Sequence, residues 1–110
     1  MSKFALFFSY TPSTWAKMLE NPQDRTAAVR APVEGVGGKL EALYYMLGEK
    51  DGIVLFDVPD AESAAALALA VNSSGAFTSV QTCQLIEAGD LPGVLHTANS
   101  ARGGYQRPGD

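Results

Sequence analysis

Two apolar runs flanking a charged turn constrain this chain most. Leu40 to Leu47 leads into Gly48-Glu49-Lys50-Asp51-Gly52, and Ile53 to Val58 follows. A short turn with glycine at both ends, set between strand-like runs, predicts a tight β-hairpin. The runs themselves say more. A strand with one face in water alternates apolar and polar residues, but Leu43-Tyr44-Tyr45-Met46-Leu47 and Ile53-Val54-Leu55-Phe56 do not alternate. Phe7 and Phe8 likewise fall on opposite faces of an earlier strand. The sheet that contains them is therefore apolar on both sides.

The rest of the chain supplies the other elements. Lys3 to Tyr10 carries aromatics at 4, 7, 8 and 10 and reads as a strand. Thr11-Pro12-Ser13 ends it, with Ser13 or Thr14 available to cap a helix whose apolar face is Trp15, Met18 and Leu19. Asn21-Pro22 opens a second helical stretch through Ala27, Ala28 and Ala31, which Pro32 should bend or end. Gly35, Gly37 and Gly38 close it. After the hairpin, Asp60 caps an alanine-rich helix over Ala61 to Val71, and Asn72-Ser73-Ser74-Gly75 stops that helix. Phe77 to Ile86 is the fourth strand. Glu87 to Asn99 is at best a short helix, weakened by Gly89, Pro92 and Gly93.

The order strand, helix, strand, strand, helix, strand is the split βαβ arrangement. It predicts a ferredoxin-like α+β fold: four antiparallel strands, with both helices on one face. At 110 residues the chain holds one domain, expected over 1–98, with a Gly/Pro-rich tail over 99–110. A chain of this length buries roughly two-thirds of its unfolded surface and can hold a core without disulfides or metal.

Helices on one face leave the other bare. If that face holds about five large side chains, exposing it forfeits on the order of 10 kcal/mol, comparable to the stability of a whole domain. A second copy packing sheet to sheet resolves this and satisfies two-fold symmetry. The competing solution is a C-terminal segment folded back over the face. The expected partner is another copy of the chain, as a dimer or a higher homo-oligomer.

Composition excludes several classes. The net charge is −4 and no Lys/Arg cluster occurs, so no nucleic-acid or anionic-membrane partner is expected. No run approaches the ~20 apolar residues of a membrane span, and the apolar N-terminus is too short for a secretory leader. With one cysteine, Cys83, no internal disulfide forms, and a cytoplasmic location is expected. One His and one Cys without paired spacing do not make a metal site. The glycines at 35, 37 and 38 end a helix and start a strand, the reverse of the geometry that cradles phosphate. No cofactor is expected.

Among residues that carry chemistry, His96 has no nucleophile motif near it and reads as a surface histidine, and Cys83 as an inert strand cysteine. Asp51 has two roles open to it. Its carboxylate can serve the hairpin backbone, or it can stand at a pocket mouth facing Tyr10, Trp15 or Arg25. In the second role an unpaired carboxylate becomes a candidate base. Tyr10, Trp15, Tyr44 and Tyr45 suffice to line a small apolar cavity with hydroxyl handles. The candidate ligand-binding residues are Tyr10, Trp15, Arg25, Tyr44 and Asp51.

Several pieces of the chain, in order, resemble a known family. They are Phe8-Ser9-Tyr10-Thr11-Pro12, Asn21-Pro22 with Asp24-Arg25, and Gly37-Gly38-Lys39-Leu40-Glu41. Gly48-Glu49 with Asp51-Gly52, Pro59-Asp60, the alanine-rich helix and the tail Gly104-Tyr105 with Pro108-Gly109 complete the set. Together they resemble the GYD domain family of small bacterial proteins, named for a Gly-Tyr-Asp signature in the hairpin. The resemblance implies a dimeric α+β barrel, two ferredoxin-like protomers joined by their sheets, and it names a fold but no reaction. Lys50 stands where the family usually has its tyrosine, either as a solvated turn residue or as a cation for a bound acid. The expected function is a homodimeric small-molecule-binding or accessory protein. The alternatives are a cofactor-independent oxygenase or isomerase using Asp51 or His96 as base on an enolisable or aromatic substrate, and a purely structural oligomerisation module.

Overall fold

A computed structural model describes all residues, Met1–Asp110. Strand β1 (Ser2–Tyr10) is followed by helices α1 (Pro12–Glu20) and α2 (Thr26–Gly35), then the hairpin β2 (Lys39–Tyr45) and β3 (Gly52–Val58). Helix α3 (Ala61–Asn72), strand β4 (Phe77–Gln84), a 3₁₀ turn at Ala88–Asp90 and helix α4 (Leu91–Gly104) complete the chain. The four strands form one antiparallel sheet in the order β2-β3-β1-β4. This is the ferredoxin-like α+β fold.

Local chemistry sets the ends of the elements. Thr11, rather than Ser13 or Thr14, caps α1: its hydroxyl accepts from the Thr14 N–H at 3.1 Å, and Pro12 takes the first turn. Asn21-Pro22 opens no helix, because α2 begins at Thr26, whose N–H and hydroxyl both donate to the Asp24 carboxylate. Pro32 lies inside α2, and the helix runs on to Gly35. Asp60 caps α3, accepting from the Ser63 N–H at 2.9 Å and its hydroxyl at 2.8 Å.

The core lies between the sheet and the helices. Phe4, Leu6, Phe8 and Tyr10 of β1 alternate onto this face beside Val54, Phe56 and Val58 of β3. Val33 of α2 and Ala64 and Leu67 of α3 cover them, and Phe4 stacks on Phe56 with ring centroids 5.8 Å apart. Gly52 is required here: a Cβ would lie 2.3 Å from the Phe8 ring. The opposite face carries the buried Ala5, the half-buried Phe7, Ile53 and Leu55 and the exposed Tyr44, and no helix of the chain packs over it.

The C-terminal segment departs from expectation. Instead of a weak helix ending near Asn99, α4 is a 14-residue helix that crosses the expected 98/99 boundary. Pro92 falls in its first turn, where a missing N–H costs nothing. It does not fold back on the sheet: its packing is against the 3₁₀ turn before it, and Leu91, Val94 and Leu95 are all exposed.

Candidate functional site

The helices do not close over the sheet completely. Between α1 and α2 on one side and α3 on the other lies an open cleft of about 660 Å³, floored by Leu6, Phe8 and Val54. Its walls include Met18, Val29, Val33, Leu67 and Val71, and Tyr10 and Phe77 close one end. The size falls within the range of small-molecule sites. The polar lining is sparse and includes Lys17, Glu20, Gln23 and Arg25. A second, smaller recess of about 320 Å³ is lined by Trp15, Tyr45, Met46, Leu47, Gly48 and Asp51.

An aromatic cluster links the two. The Tyr10 ring packs edge-on against Trp15 at 5.1 Å and lies 5.1 Å from both Phe8 and Phe77. Tyr10 and Tyr45 bring their hydroxyls to 3.1 Å. Burial, then the hydrogen bond shared with the Tyr10 hydroxyl, pushes the Tyr45 phenol well above its ordinary range, with nearby Arg25 opposing the shift. Tyr45 is therefore a neutral hydroxyl at physiological pH.

Asp51 sits beneath this cluster. One carboxylate oxygen accepts from the Tyr10 backbone N–H at 2.9 Å and from the Trp15 indole N–H at 3.0 Å. The Asp51 N–H donates to the Phe8 carbonyl, and its carbonyl accepts from the Met46 N–H, both at 2.9 Å. Asp51 thus ties the hairpin turn to the β1–α1 junction, and no ion pair joins it to Arg25. Lys50 lies half-buried across the other face of the sheet, its ammonium 3.4 Å from the Ser79 hydroxyl on β4.

Of the residues singled out from sequence, the structure gathers Tyr10, Trp15, Arg25 and Asp51 at one end of the molecule. Tyr10 and Arg25 line the larger cleft, while Trp15 and Asp51 line the recess. Tyr44 is not among them. It lies on the uncovered face, 61% exposed, and Tyr45 takes the inward position. The reason is a bulge at Glu41, between Leu40 and Ala42, which shifts the alternation of β2 by one residue. Sequence reading also missed the cleft walls from Met18, Val29, Leu67, Val71 and Phe77, which look like ordinary core positions. His96 lies on exposed α4 and lines neither cavity. Cys83 is half-buried on β4, and no group of His, Cys, Asp and Glu is placed to hold a metal ion.

The fold and this end of the sheet define a ferredoxin-like domain with an apolar cleft under its helices. The family model for the GYD domain matches residues 4–94. The chain belongs to the GYD domain family. No curated protein sequence matches it. Among solved structures it is similar to 30S ribosomal protein S6 of Thermotoga maritima, with 17% identity and a TM-score of 0.58, over 89% of this chain and 97% of that one. It is similar to TTHA0845 of Thermus thermophilus, with 13% identity and a TM-score of 0.54, over 80% and 96%. FFRP-DM1 also aligns, with 13% identity and a TM-score of 0.50, over 78% and 100%. At these identities the likeness is one of fold, which hosts many unrelated functions.

Proposed function

We propose that the protein is a homodimer whose protomers each bind a small, mainly apolar molecule in the cleft between the helices and the sheet. The observation that carries this reading is the cleft itself, about 660 Å³ and lined mostly by apolar side chains. Methyl-detected NMR during fragment screening tests it. Shifts are expected at Leu6, Val33, Leu67 and Val71. If fragments at millimolar concentration leave those methyls unmoved, the reading fails.

The homodimer is supported by the shape of the isolated chain. A compact protein of this mass is expected to expose about 5,800 Å², but this chain exposes 7504 Å². Its radius of gyration is 17.5 Å, against about 13 Å for a compact domain of this length. The surplus surface, about 1,700 Å², is of the order that one protomer loses in an obligate dimer. The exposed apolar side chains of α4 and Tyr44 on the uncovered sheet face contribute to it. The resulting assembly is the dimeric α+β barrel.

The enzymatic alternative draws less support from the geometry. It needs a base beside the bound substrate, and neither Asp51 nor His96 lines the larger cleft. Asp51 is already committed to two N–H donors.

A further inference from the structure

The cleft has an electrostatic direction. Its body is apolar, and its one half-buried charge is Arg25, which lines it together with Tyr10; Tyr45 lines the neighbouring recess and reaches the cleft only through its hydroxyl contact with Tyr10. No carboxylate lies within ion-pair distance of the guanidinium. The adjacent acid, Asp24, is occupied by the Thr26 N–H at 2.9 Å and the Thr26 hydroxyl at 2.6 Å. Glu20 and Lys17 also line the cleft, but both are exposed on α1 and opposite in charge. A half-buried guanidinium without an anion is an unfilled position, because partial burial raises the worth of an ion pair above its surface value.

The tyrosine pair adds a donor. Two hydroxyls 3.1 Å apart share one hydrogen between them, which leaves the other hydroxyl hydrogen available to an acceptor. A cation with planar, paired N–H groups beside a spare O–H suits a carboxylate, whose two oxygens accept from both. The walls beyond, from Phe8 and Val33 to Leu67 and Val71, suit a hydrocarbon or aromatic body.

We infer that the ligand of this cleft is an apolar monocarboxylate, its carboxylate held by Arg25 and the Tyr10 hydroxyl that Tyr45 backs, and its body lying over Leu6, Phe8 and Val54. The inference rests on the cleft being a binding site and deepens that reading by naming the ligand class. A neutral molecule of the same body satisfies the walls but leaves Arg25 unpaired. A cationic one places like charge against it.

Calorimetry with decanoate and decanol on the full-length protein at neutral pH tests this. Decanoate is expected to bind about tenfold tighter or more, a difference of about 1.4 kcal/mol. Arg25→Gln is expected to erase the preference while leaving decanol binding in place, and Lys17→Gln to keep it. Equal binding of the two probes overturns the carboxylate assignment and leaves the cleft as a site. A preference that survives Arg25→Gln overturns the role of Arg25. If neither probe binds nor shifts the cleft methyls, both the assignment and the underlying site reading fall.

Discussion

Asp51 is held by more backbone and side-chain bonds than a turn residue requires. Its carboxylate is a shared acceptor for a backbone N–H on β1 and the indole of α1, so it fixes the strand, the helix and the hairpin together. Removing it leaves the half-buried Tyr10 N–H without a partner and the exposed Trp15 N–H to water, and hydrogen bonds to a charged group are among the stronger ones. Asp51→Ala should therefore cost about 2 kcal/mol in urea unfolding, with the Trp15 emission changed in the folded state. A loss within the scatter of ordinary surface substitutions would rule out this tie. Gly52, the next residue, explains why the turn ends as it does: the Phe8 ring occupies the space that any side chain would need.

At the level of elements, caps decide where helices start and bulges decide which way strands face. The Asp60 carboxyl is held below its ordinary value of 3.8 by the Ser63 N–H, then by the Ser63 hydroxyl. A group with its folded pKa lowered contributes stability that is full above the unfolded pKa and lost as pH falls through the folded one. The advantage of Asp60 in capping α3 should therefore fade below about pH 4. Asp60→Asn keeps a capping side chain and removes the titration. The stability curves of wild type and Asp60→Asn should converge on acidification, as urea midpoints across the acid range will read; parallel curves would disprove the linkage. Asp24 has the same sign through its bonds to Thr26 and remains in both proteins. The bulge in β2 acts on strand facing. By inserting Glu41 it turns Tyr45 toward the aromatic cluster and Tyr44 toward the bare face.

For the whole molecule, the central issue is uncovered surface. The sheet has one face buried by helices and one face carrying Phe7, Ile53, Leu55 and Tyr44, while α4 projects with Leu91, Val94 and Leu95 exposed. The proposed second copy would cover both, so sedimentation equilibrium should give twice the chain mass of 11.6 kDa. Val94→Glu with Leu95→Glu should weaken that association and keep the helical and sheet signals in circular dichroism, since α4 adds little to the core of its own protomer. A wild-type monomer at tens of micromolar would remove the homodimer from the account.

Much of this was legible in the residues. The unbroken apolar runs, the glycine-bounded turn and the alanine-rich helix specify a ferredoxin-like sheet with helices on one side, because periodicity and turn chemistry are local properties. The uncovered apolar face was also legible, because counting faces requires no coordinates. Other features depend on how elements meet. Pro32 continues a helix it was expected to bend or end, and α4 runs through glycines that weaken it locally. Tyr44 and Tyr45 exchange faces because of one inserted residue, which strand periodicity does not register. The cleft exists only because α1 and α2 stand apart from α3 over the sheet, a spacing set by side chains distant in sequence. The amino-acid order alone thus determined the fold and its bare apolar face, since both follow from local pattern. Tertiary structure decided which aromatics meet, that Asp51 is bonded rather than free, and that Arg25 stands without an anion beside an apolar cleft, since each depends on where separate elements come to rest.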